Sequence, residues 1–219
     1  MMNPLHRCTL LIALGLAGPA LAQTVVLRDS FADPSSGWPN AGATHARDAG
    51  MAVYTDSGSY QLTPVKDNTF GLIPAPRQAA GGDVRLRSDL FLYAGLGAGA
   101  GGVACRIQDL DNFYAFLVRG DATALIVKVR NGKPTPLAKG QVKSVMAGTV
   151  DTQLSAECRG DTLRLSLRDG DSINARDDEL HGGRAGLFVV GEKLAGTSAT
   201  FDNFELTGLG AAAPASGSP

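Results

Sequence analysis

The sequence predicts an all-β domain, a sandwich of two antiparallel sheets, and three observations carry that prediction. Apolar residues recur with a period of two, turn-forming pairs separate the alternating runs, and no stretch beyond residue 22 sustains a 3.6-residue apolar period over a helix's length. The clearest run is 162–168, where Leu163, Leu165 and Leu167 face one way and Arg164, Ser166 and Arg168 the other. Just before it, Leu154, Ala156 and Cys158 alternate with Gln153, Ser155 and Glu157. Further upstream Val103, Cys105 and Ile107 alternate with Ala104, Arg106 and Gln108, so both cysteines point toward an apolar layer. Val84, Leu86, Leu90 and Leu92 oppose Arg85, Arg87, Asp89, Phe91 and Tyr93; Leu125, Val127 and Val129 oppose Ile126, Lys128 and Arg130. Shorter strands are expected at 25–27, 51–55, 60–62, 70–73, 113–118, 185–190 and 200–206.

The connections agree with that reading. Gly120-Asp121, Asn131-Gly132, Gly160-Asp161 and Asp169-Gly170 fall between alternating runs, and such pairs tolerate the positive φ angles of tight hairpins. Two of them lie inside Arg-Gly-Asp triplets, 119–121 and 159–161. A Gly-Asp turn that follows a strand ending in arginine accounts for both copies without an adhesion function.

The ends bound where the domain lies. Residues 1–22 read as a secretory leader: Arg7, an apolar run over 10–16, then Ala20-Leu21-Ala22. A membrane anchor needs about 20 consecutive apolar residues, and this run is shorter and interrupted by Gly18-Pro19. Residues 210–219, GAAAPASGSP, have no large side chain to bury and read as a tail. The expected domain is therefore 23–209, secreted or periplasmic. Removing Arg7 with the leader leaves 19 basic against 21 acidic side chains, a net charge of −2. Such a balance supplies no electrostatic attraction for nucleic acid or an anionic membrane.

Removing Cys8 leaves Cys105 and Cys158, and an even pair in an exported chain is most simply a disulfide. A zinc site would need His or Cys at short spacing, and His45 and His181 are far from either cysteine. No cofactor is expected. Calcium stays open, because 109–112 and 169–171 begin like acidic loops, although Phe113 and Ile173 occupy the fifth position of the helical calcium loop.

Catalytic motifs fare poorly. Gly97, Gly99 and Gly102 match a dinucleotide fingerprint, but the residues that follow alternate as a strand instead of opening a helix, so the stretch reads as a Gly/Ala link. Hydrolysis of a glycosidic bond needs two facing carboxyl groups. The four glutamates, Glu157, Glu179, Glu192 and Glu205, do not pair on any strand. A nucleophile elbow is missing and no cysteine is left over. Sugar binding needs aromatic faces and a fan of polar groups, and the outward set Arg87, Asp89, Tyr93, Arg106 and Gln108 is the candidate site. Trp38 is either a further sugar platform or a plug at the sandwich edge.

Five fragments in order, DSFADPSSGWP (29–39), ACRIQDLDNFYAF (104–116), AECRGDTLRLSLRDG (156–170), GGRAGLFV (182–189) and FDNFEL (201–206), resemble secreted bacterial concanavalin A-like, laminin-G-like jelly rolls. The resemblance lies close to the modules grouped with 3-keto-disaccharide hydrolase domains. It implies a first strand near 29–31 pairing with a last strand near 201–204, and it supports the Cys105–Cys158 disulfide. It implies no catalytic residue here, since the carboxylates of glycoside-cleaving members find no matching positions. The reading is thus a single exported binding domain for a glycan or an extracellular protein, without a membrane span. The alternatives are a glycoside-acting enzyme and a structural envelope protein.

Overall fold

A computed structural model describes residues 23–40, 50–64, 69–95, 99–143, 148–192 and 196–210. The proposed leader, His45 and nearly all of the proposed tail lie outside the described residues. In chain order the described strands are β1 (Thr24–Asp29), β2 (Gly50–Tyr54), β3 (Tyr60–Pro64), β4 (Phe70–Pro74), β5 (Val84–Tyr93), β6 (Ala100–Asp109) and β7 (Asn112–Arg119). They continue as β8 (Thr123–Arg130), β9 (Lys133–Gln141), β10 (Thr149–Arg159), β11 (Thr162–Leu167), β12 (Ser172–Arg176), β13 (Arg184–Val190) and β14 (Ser198–Gly208). Among the described residues no helix is long and apolar enough to cross a membrane.

Two antiparallel sheets face each other. The larger runs β12-β11-β10-β5-β14-β3-β2, and the smaller β4-β13-β6-β7-β8-β9. β1 also pairs with β14, with Asp29 opposite Phe204, so the first strand meets the last as expected. β14 therefore shares one side between β3 at residues 199–201 and β1 at residues 204–208. The hairpin turns stand where the Gly-Asp and Asn-Gly pairs placed them. Asn131 and Gly132 both have positive φ, 51° and 72°, which joins β8 to β9 with only two residues.

The core follows from the alternation. Leu86, Leu90 and Leu92 of β5, Leu154 and Ala156 of β10, and Leu163 and Leu165 of β11 are buried against Val103, Phe116 and Leu187 of the smaller sheet. Cys105 of β6 and Cys158 of β10 form the disulfide, which therefore ties one sheet to the other through the core. Trp38 is buried against Phe31, Tyr60 and Phe204 and donates its Nε1–H to Asp29, so it is the plug and not an exposed platform.

Three expectations are corrected. Two strands are absent from the expected set: β9 (KPTPLAKGQ) lacks apolar alternation, although a two-residue turn at 131–132 demands a strand after it, and β12 (SINAR) is only five residues long, with Ile173 and Ala175 alternating with polar residues and packing against the core. Part of the supposed Gly/Ala link is strand: β6 begins at Ala100, and a Cβ on Gly101 would lie 2.9 Å from the Ala199 side chain of the facing sheet. The third concerns facing. On β8 it is Ala124 and Ile126 that enter the main core, while Leu125, Val127 and Val129 belong to a second apolar cluster on the opposite face. Ile107 joins that second cluster too, because the register shifts between Cys105 and Asp109 and reverses the alternation.

Candidate functional site

The five residues expected to form one polar patch divide between the two sheets. Arg87, Asp89 and Tyr93 stand on the outer face of β5, near the middle of the larger sheet, flanked by β10 and β14. Arg87 is exposed, Phe91 is 49 % exposed and Tyr93 51 %. Asp89 sits opposite Gln153 and accepts 2.9 Å from its amide; on the other side it accepts 2.8 Å from the Asn203 amide. Asn203 reaches it from a bulge of β14, where its φ is 49° and the register shifts between Asp202 and Glu205. The result is one surface with two aromatic side chains at neighbouring outward positions, an exposed guanidinium and a carboxylate held by two planar amides. Gln153 and Asn203 do not stand out in the sequence, because only the cross-strand register brings them to Asp89.

Glu205 borders this surface. The Arg28 guanidinium, 2.8 Å away, holds its carboxyl below the ordinary range, with Arg87 contributing in the same direction. Arg85 and Glu157 form a similar cross-strand pair at 2.8 Å.

Arg106 and Gln108 belong to the smaller sheet and do not border that surface. Arg106 is buried, and its φ of 48° marks the bulge in β6 that turns it inward. Its guanidinium donates to the carbonyls of Leu180 (3.0 Å), Gly160 (2.6 Å) and Gly82 (3.3 Å) and to Asp83 Oδ1 (3.1 Å), and it lies 6.0 Å from the Tyr114 ring centre. The donors are consumed in joining three loops, so Arg106 is corrected from a ligand-facing residue to an internal clamp. A period-two pattern places it outward, and the bulge overrides that pattern. Gln108 donates 3.2 Å to the His181 carbonyl.

Beside the clamp lies a polar network. Asp177 accepts from the Tyr114 hydroxyl and from Lys128 Nζ at 2.6 Å, and Lys128 also reaches Glu179 at 3.0 Å. Burial and the bond to Asp177 push the Tyr114 hydroxyl up to about 12. The bond to Asp177 raises Lys128 against the opposing effect of burial.

Both Arg-Gly-Asp turns are engaged internally. Gly160 donates to Asp83 and accepts from Arg106, and Asp161 binds Arg176 at 2.7 Å. Arg119 is paired with Glu192 and Asp121, and Gly120 is buried. In the loop 109–112, Asp109 accepts from the Asp111 amide and the Asn112 side chain. Among the described residues no three His, Cys, Asp or Glu side chains converge as a metal site.

The opposite face of the molecule carries a trough of about 690 Å³ on the outer side of the smaller sheet. Phe70, Phe113 and Phe188 form a three-ring cluster with centres 5.5 to 5.9 Å apart, and Leu117, Val127 and Val129 continue the lining. Polar side chains enter the lining at Thr69, Arg119 and Glu192.

No protein-family model and no curated protein matches this sequence. Solved structures do. The carbohydrate-binding module CBM66 from Bacillus subtilis superposes with a TM-score of 0.56 at 25% identity, over 76% of this chain and 98% of that one. The fold is a jelly-roll sandwich. The exoplasmic/lumenal domain of VIP36, in its Ca2+/Man3GlcNAc-bound form, matches with a TM-score of 0.58 at 17% identity, over 82% of this chain and 90% of the other. A Bacillus subtilis protein of unknown function with a galectin-like fold matches at 0.56 and 14% identity, over 83% and 94%. The closer kinship with 3-keto-disaccharide hydrolase domains has no family match behind it.

Proposed function

We propose that this protein is an exported carbohydrate-binding module that acts without catalysis and engages its glycan across β5 on the larger sheet. The observation that carries this reading is the half-exposed pair Phe91 and Tyr93 beside Arg87, Asp89, Gln153 and Asn203. Apolar C–H faces of a sugar ring pack on aromatic side chains, while planar amides, carboxylates and guanidinium groups match its hydroxyls. The likeness to a carbohydrate-binding module over 98% of that module's length supports the same class of ligand. Export is supported by the Cys105–Cys158 disulfide, a bond that persists in oxidising compartments.

In the glycoside-cleaving alternative, one carboxyl must be kept as an acid beside a second carboxylate. On this face Glu205 is shifted the other way by Arg28, and Asp89 is already occupied by two amides. Calcium enters this proposal only as a condition to vary.

The test is a glycan array probed with the disulfide-bonded protein, with and without calcium, beside Phe91→Ala/Tyr93→Ala and Arg87→Ala variants. Selective binding that falls at least tenfold in the aromatic double variant supports the reading. A blank array from folded protein, or retention unchanged in every variant, removes it, and release of reducing sugar from a bound glycan favours the enzyme.

A further inference from the structure

The trough on the smaller sheet is unlike the surface around β5, and its chemistry points elsewhere. An antiparallel sheet in a sandwich usually turns one face to the core and a polar face to water. Here both faces are apolar: Tyr114, Phe116 and Val118 of β7 enter the main core, and Phe113, Ala115 and Leu117 line the trough. The same holds on β8 and β13.

Polar groups gather at one end. Arg119 ends β7 opposite Ala100, Ala100 pairs with Val190 and Val190 with Phe70, so Thr69 and Glu192 lie just beyond this row. Arg119 and Glu192 are bonded at 3.0 Å, and Arg119 also approaches Asp121 at 3.3 Å. That end therefore offers one guanidinium and two carboxylates, able both to donate to and to accept from a hydroxyl.

We propose that the trough holds the unbranched apolar tail of an amphiphile whose uncharged, hydroxyl-bearing head lies at the Arg119–Glu192 end. A bare sugar does not suit it, since hydroxyls along the lining would lose water without gaining partners. A peptide strand added at the β9 edge does not suit it either, because that edge strand bears Pro134 and Pro136, which lack N–H donors. A second copy packed face to face would need an apolar projection on this same face. Among the described residues, the exposed large apolar side chains Val25, Met51, Phe91 and Tyr93 all belong to strands of the larger sheet. An apolar tail with one terminal polar group matches both the lining and the position of its charges.

The probes are 1-hexanol, 1-octanol and 1-decanol, titrated calorimetrically into the disulfide-bonded protein. Each added methylene is expected to tighten binding about fourfold. Val127→Glu places a charge in the lining, and Leu125→Trp fills it from a half-buried position; each is expected to weaken 1-decanol binding at least tenfold while the near-ultraviolet circular dichroism stays native. Affinity independent of chain length overturns the proposal, as does unchanged 1-decanol binding in both folded variants. A concentration-dependent dimer in light scattering that 1-decanol does not dissociate would assign the trough to a second copy and overturn it as well. The alcohols carry no sugar, so a blank glycan array leaves this result standing, and failure here leaves the glycan reading untouched.

Discussion

Arg106 shows how one side chain holds an end of the sandwich. A guanidinium out of water requires an acceptor for its donors, and Arg106 finds them on Gly82, Asp83, Gly160 and Leu180. Replacing it with methionine leaves those acceptors buried or unpaired and is expected to cost about 3–5 kcal/mol, read as a lowered urea midpoint. Lysine, with a single ammonium, is expected to restore less than half of that. A loss below about 1 kcal/mol for Arg106→Met would contradict the clamp. Asp177 gives a pH signature. Burial alone would raise its carboxyl, but Lys128 and Tyr114 outweigh burial and hold it below the ordinary aspartate range. A depressed folded value contributes stability that is present above the unfolded value and lost as pH falls through the folded one. The thermal midpoint is therefore expected to drop between about pH 5 and pH 2 more steeply in the native protein than in Asp177→Asn. Parallel slopes would show that Asp177 does not couple to folding.

At the scale of the strand, a period of two reveals that a strand exists but not always which face is inward. β5, β10 and β11 are legible because one face is apolar and the other charged. β8 is legible as a strand but reversed in facing, because Leu125, Val127 and Val129 are as apolar as Ala124 and Ile126. β6 hides its start in glycines. At Gly101 the space for a side chain is taken by Ala199 and Leu90 of the facing sheet, whose methyl carbons would stand 2.9 and 3.1 Å from an added Cβ. Gly101→Val is expected to destabilise by about 1–3 kcal/mol through overpacking, measured by chemical denaturation. A neutral outcome would mean that the two sheets separate there without cost.

The whole molecule is two sheets with a single covalent tie between them among the described residues. Cys105 and Cys158 are 53 residues apart in sequence, and their bond shrinks the unfolded ensemble while joining β6 to β10. A Cys105→Ala/Cys158→Ala variant is expected to lose about 2–4 kcal/mol, and reduction of the native protein should lower its guanidinium midpoint to match. Equal midpoints with and without reductant would show that the tie contributes nothing. The pairing of β1 with β14 and the disulfide were both readable from the cysteine count and the resemblance, while the division of the candidate site was not. Arg87 and Arg106 look alike in sequence, each an arginine in an alternating run, and they lie on different sheets with opposite fates.

By itself the sequence determined the class of fold, the hairpin turns and the covalent tie. These depend on local alternation, on residues that accept positive φ and on a count of cysteines. Only the tertiary structure decided that Gln153 and Asn203 meet at Asp89, that a bulge turns Arg106 inward, and that three phenylalanines from β4, β7 and β13 share one trough. Cross-strand register and sheet assignment are properties of partners far apart in the chain, and no local pattern encodes them.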